Sequence, residues 1–149
     1  MPATAFILLI TDGTVIEHAP EIYLSEERAY VEAERWAWDL AAGDPRRISV
    51  PFDGRWQVGD RDVRLVSEPW TPLGDAQPWV GTYWTEDGYP DPEAMLLWGY
   101  EDAFTWVLEP PHGVTGPAEI IDRWWTIVAT FPRGDEYSYA VAHLAKLVA

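Results

Sequence analysis

The stretch PWVGTYWTEDGYPDPE, residues 78 to 93, places four carboxylates (Glu86, Asp87, Asp91 and Glu93) beside Trp79, Tyr83, Trp84 and Tyr89. Paired carboxylates next to flat rings are what glycoside hydrolysis needs. One acts as acid, one as nucleophile or base, and the rings stack on the sugar. Turn-forming Asp and Gly account for the same cluster without any chemistry. The spacing also departs from the calcium-loop pattern, which needs Asp at alternate positions, a Gly and a distal Glu. No metal site and no cofactor are expected from it.

The histidines are scattered. His18 lies in a turn before Pro20, His112 lies in a Pro-Pro-His-Gly loop, and His143 is expected on the outer face of a last helix, one turn from Tyr139. Neither His-x-x-x-His nor His-Glu-x-x-His occurs, so a zinc site would need long-range assembly. The nucleophile elbow Gly-x-Ser-x-Gly, the phosphate-cradling loop and the dinucleotide fingerprint are all missing. An enzyme without a familiar signature stays open, but the residues lean away from catalysis.

Ten tryptophans in 149 residues are more than a core of this size requires. They serve either as core bulk in a chain without cysteine or as rigid contact surface. Read as a strand, the stretch from residue 78 puts Trp79, Gly81 and Tyr83 on one face, and Val80, Thr82 and Trp84 on the other. Gly81 between two rings leaves a slot. A flat or cationic ligand can occupy it, or a ring from the neighbouring strand can fill it, the usual remedy for glycine in a sheet.

These residues need elements to position them. Phe6 to Ile10 is a continuous apolar run, predicted to be a strand buried on both faces. Asp12-Gly13 marks a turn, and Glu21 to Leu24 a second strand. Ser25 caps a helix with Glu26 and Glu27 in its first turn, ending near Gly43. Ile48 to Val50 is a short strand. Arg55 to Val58 and Val63 to Val66 read as a hairpin around Gly59-Asp60. Glu68 to Pro78, with three prolines, reads as a linker.

The second half resembles the first. A shift of 74 residues lays Thr11 on Thr85, Glu27 on Glu101, Ala29 on Ala103 and Tyr30 on Phe104. The expectation is two pseudo-repeated strand-strand-helix-strand units, 1–70 and 76–149, within one domain. A helix opening at Gly99 is stopped by Pro110-Pro111, and a further helical turn can begin at Gly116-Pro117. Trp125 to Phe131 reads as a strand. Asp135 reads as the cap of a last helix carrying Tyr137, Val141, Leu144 and Val148 in one stripe. The predicted class is therefore α+β, with a largely antiparallel sheet and about three helices.

The helix from Ser25 raises its own question, because Trp36 and Trp38 point about 200° apart on it. With Trp36 near the sheet, Ala29, Ala33, Ala37 and Leu40 share its side. Trp38 then falls with Val31 on a second apolar stripe. Either the rest of the chain covers that stripe or another molecule does, and the abundant aromatics downstream favour the first.

A net charge of −15 opposes binding to a nucleic-acid backbone, which draws affinity from Lys and Arg. It favours solubility and encounters with basic partners. The short apolar run at the start has no basic residues before it, so no secretory leader is expected. No apolar run is long enough for a membrane span. Absence of cysteine fits a cytoplasmic setting. The expected function is non-catalytic binding of a protein partner, as an inhibitor or immunity-type protein, with self-association as a variant. The alternative is a glycan or cationic ligand, or a substrate, held in an aromatic pocket between the halves. Val31, Trp38, Trp79, Tyr83, Trp84, Glu86 and Tyr89 are the candidate contact residues.

Overall fold

The computed structural model describes residues 3–11, 16–52, 54–72, 74–86 and 93–148. The first part of the chain runs β1 (Ala3–Thr11), β2 (Ile16–Tyr23), α1 (Glu26–Leu40), β3 (Ile48–Phe52), β4 (Arg55–Val58) and β5 (Arg61–Trp70). The second runs β6 (Pro78–Thr85), β7 (Glu93–Trp98), α2 (Tyr100–Leu108), β8 (Glu119–Arg123), β9 (Thr126–Arg133), β10 (Glu136–Leu144) and β11 (Lys146–Val148).

Strand β1 is apolar at successive positions because each of its faces meets a different layer. Phe6 and Leu8 pack with Ala29, Ala33 and Ala37 of α1. Ala5, Ile7 and Leu9 pack toward a second sheet, against Val80 and Ala94. On its far side that sheet sets Trp79, Leu97, Ile127 and Ala129 against Ala103 and Val107 of α2. The order of layers is thus helix, sheet, sheet, helix. Ile7, Leu8 and Leu9 are at most 1% exposed. At roughly 2 kcal/mol for each fully buried side chain, this one strand contributes about 6 kcal/mol.

The sheets are almost wholly antiparallel, in the orders β11-β2-β1-β5-β4-β3 and β7-β6-β10-β9-β8. The exception is β11, which lies parallel to β2, pairing Lys146 with Glu21 and Val148 with Tyr23. It carries the end of the chain back into the first sheet. Ser25 caps α1 as its sequence implies, its hydroxyl accepting a hydrogen bond from the Arg28 amide at 3.2 Å. The helix stops where Ala42 and Gly43 take φ of +54° and +78°. Alanines at positions 29, 33 and 37 are fully buried, and their small size lets α1 lie close to the sheet.

There are two α-helices among the described residues, and the predicted third is replaced by strands. Gly134, at φ +66°, and Asp135 form the two-residue turn of the β9–β10 hairpin instead of a helix cap. The segment from Tyr137 alternates: Ser138, Ala140 and Ala142 are buried, while Tyr137 is exposed. Its apolar spacing suits a helix as well as a strand. Pairing on both sides, with β6 and β9, settles it as a strand. Gly116-Pro117 starts no helical turn but leads into β8. The predicted linker is shorter too, since β5 continues through Glu68 to Trp70.

Removing β11 leaves the two sheets with the same strand connectivity. The 74-residue shift matches side-chain faces for Tyr23 with Leu97 and for Ala29 with Ala103. It fails at the first strand. Phe6 faces α1, whereas Val80 faces the opposing sheet. A strand displaced by one residue presents its other face, and it is Trp79, not Val80, that faces a helix as Phe6 does.

Candidate functional site

Three surface features gather residues capable of recognition. The first is a cleft of about 650 Å³ at the edge of β7, where the sheets meet. Val66 and Glu68 of β5 line it from the first half, and Tyr83, Met95 and Trp106 from the second. Pro110 and Pro111, which stop α2, line it too. The slot above Gly81 is filled by Trp106 of α2, not by a ring from a neighbouring strand. A Cβ at Gly81 would come within 2.8 Å of the indole. Burial raises the pKa of Glu68, as expected for a carboxyl group in apolar surroundings. It makes no hydrogen bond or ion pair with any described residue.

The second feature is the turn joining β8 to β9. Trp124 is 74% exposed and Trp125 43% exposed, the two rings meeting edge to face at 5.3 Å. Ile121, three residues before Trp124 on the edge strand, is exposed as well. The turn is fixed from below, because the Leu144 amide donates to the Trp125 carbonyl at 2.9 Å. Tyr100 at the start of α2 donates to the carboxylate of Asp122 in β8, and that bond raises the Tyr100 pKa.

The third feature lies at the end of β6. Trp84 stacks on Tyr139 with ring centroids 5.4 Å apart, and the Tyr139 hydroxyl donates to Glu86 at 2.9 Å. Burial, reinforced by the Glu86 carboxylate, pushes the Tyr139 pKa up.

The candidate residues from the sequence are therefore dispersed. Tyr83 lines the cleft, while Trp84 and Glu86 belong to the stacked cluster. Trp79 is 2% exposed and sits in the core under α2. Tyr89 lies outside the described residues, as do Asp87 and Asp91. Val31 and Trp38 are 61% and 47% exposed, so the favoured cover is not supplied by the described residues. The second sheet is stacked on the opposite face of the first, away from α1. The strand expected over Trp125 to Phe131 begins at Thr126, so Trp125 joins Trp124 in the exposed turn. Two adjacent tryptophans after Asp-Arg were the available signal, since one strand face cannot bury both.

His143 is half-buried, with Nδ1 3.1 Å from the Thr126 hydroxyl, and burial lowers its pKa. His112 is exposed, and the side chain of His18 lies outside the described ones. No group of three or more metal-ligating side chains occurs among the described residues. No described helix is long and apolar enough to cross a membrane. Comparison with protein-family models, with curated proteins and with solved structures gave no significant match.

Proposed function

We propose that this protein works by binding a basic protein partner, in the manner of an inhibitor or immunity-type protein, through the aromatic turn between β8 and β9. The observation that carries the reading is the exposure of Trp124 and Trp125 on a turn anchored by the sheet. Exposing two large rings costs solubility, and rigid indoles are the side chains most enriched in interface hot spots. The net charge of −15 supplies steering toward a basic surface. Three of the ten indoles (Trp38, Trp124 and Trp125) are strongly exposed, which supports the view that ring surface exceeds core demand.

The cytoplasm is the proposed setting, in keeping with a chain that has no cysteine. We also propose that the two halves are copies of one unit, which their shared strand connectivity supports. The test of function is affinity capture from lysate at low and moderate salt, using the parent and a Trp124→Ser/Trp125→Ser variant side by side. The reading expects a basic protein retained by the parent and released by salt, with affinity at least ~30-fold weaker for the variant. Equal retention by both proteins, or no retained protein at either salt, contradicts it.

A further inference from the structure

We infer that the cleft beside β7 is a binding site for a small organic cation, an amine carrying an apolar or aromatic body. Its walls are the Tyr83 and Trp106 rings with Met95 and the two prolines, and its ionisable side chains are Glu68 and Glu109. No basic residue lines it among the described residues. Neither carboxylate has an ion pair or side-chain hydrogen bond with a described residue, so both are open to an ammonium group.

Volume and chemistry narrow the ligand class. About 650 Å³ is the size of a typical small-molecule site. Aromatic faces attract cations through their quadrupole, and the attraction grows when the ring is partly desolvated. A sugar fits less well, because its many hydroxyls would face Met95, Val66 and the prolines without hydrogen-bond partners. An anion would meet two carboxylates and, among the described residues, no counter-charge. The raised pKa of Glu68 agrees with this geometry: burial without a counter-ion disfavours the carboxylate, a cost that an ammonium group beside it would offset. The site uses no residue of the β8–β9 turn, so it stands apart from the protein-binding proposal.

Titration of the whole protein with benzylamine and with benzyl alcohol, its neutral counterpart, tests the inference. The readout is the Trp106 indole N–H signal, assigned through Trp106→Phe. Benzylamine is expected to shift it saturably, with benzyl alcohol at least about fivefold weaker. Glu68→Gln weakens benzylamine about fivefold, and Met95→Lys, which places a like charge in the cleft lining, abolishes saturation. Glu34→Gln, the same charge change on the exposed side of α1, leaves affinity unaltered. A shift that never saturates, equal binding of the alcohol, or equal weakening by Glu34→Gln overturns the proposal.

Discussion

Gly81→Ala tests the packing that shapes the cleft. A Cβ built at this position lies 2.8 Å from Trp106 Cζ3 and 2.9 Å from Leu97 Cδ1. Carbon atoms prefer roughly 3.5–4.0 Å, so both neighbours must retreat by about 1 Å. The Leu97 methyl is the end of a flexible chain and can rotate. The Trp106 ring is rigid and must swing as a unit. Overpacking of this kind costs about 1–3 kcal/mol. Restricting the unfolded chain by removing a glycine returns about 0.4–1 kcal/mol. The expected net loss is about 1–2 kcal/mol, which for a chain of this size lowers Tm by roughly 2–8 °C. Thermal and urea unfolding measure the loss, and the Trp106 indole N–H signal reports the displaced ring. In a Trp106→Leu background the same change should be neutral or mildly stabilising. If Gly81→Ala alone is as stable as the parent and the indole signal stays in place, Trp106 does not fill the slot.

Other outcomes follow from the same structure. Asp62 is 8% exposed and its Oδ2 accepts from Arg55 at 2.6 Å and Arg64 at 3.3 Å. Asp62→Asn leaves two guanidinium groups without their shared counter-charge, so urea unfolding should show a loss of about 2–4 kcal/mol. Trp38→Glu should leave Tm within about 2 °C of the parent, as should Trp124→Ser/Trp125→Ser, whereas Trp79→Ala should cost about 3–5 kcal/mol. Burial holds the folded-state pKa of His143 below its unfolded value, so its stabilising contribution is present above pH ~6.5 and is lost as pH falls. His143→Gln should therefore lose less stability than the parent between pH 7 and 5. Glu68 has the opposite sign. Its folded pKa is raised, so its contribution is full below the unfolded value and is lost as pH rises through the folded one. Glu68→Gln should accordingly gain stability relative to the parent as pH rises from about 4 to 7.

Local signals were sufficient for much of the architecture. The apolar run at Phe6, the Ser25 cap, the Pro110-Pro111 stop and the Gly59-Asp60 hairpin are each decided within a few residues. Strand β10 was not legible, because its alanine-rich spacing satisfies two periods and only its pairing with β6 and β9 chooses between them. The exposure of Val31 and Trp38 was not legible either. It depends on which face of the first sheet the second one covers, a long-range fact that α1 does not encode. Glu68 sits in a segment whose prolines suggested a linker, yet Pro69 is accommodated opposite Thr4 in the β1–β5 ladder. The cleft draws on β5, β6, β7 and α2, so no single stretch announces it.

Hydroxyl-radical footprinting of the ten indoles, with and without the retained partner, addresses the protein-binding proposal most directly. Modification at Trp124 and Trp125 should be strong in the free protein and drop at least severalfold in the complex, while buried Trp56 and Trp79 stay unreactive in both. Unchanged modification of Trp124 and Trp125 in a complex that protects other surfaces would contradict the proposal.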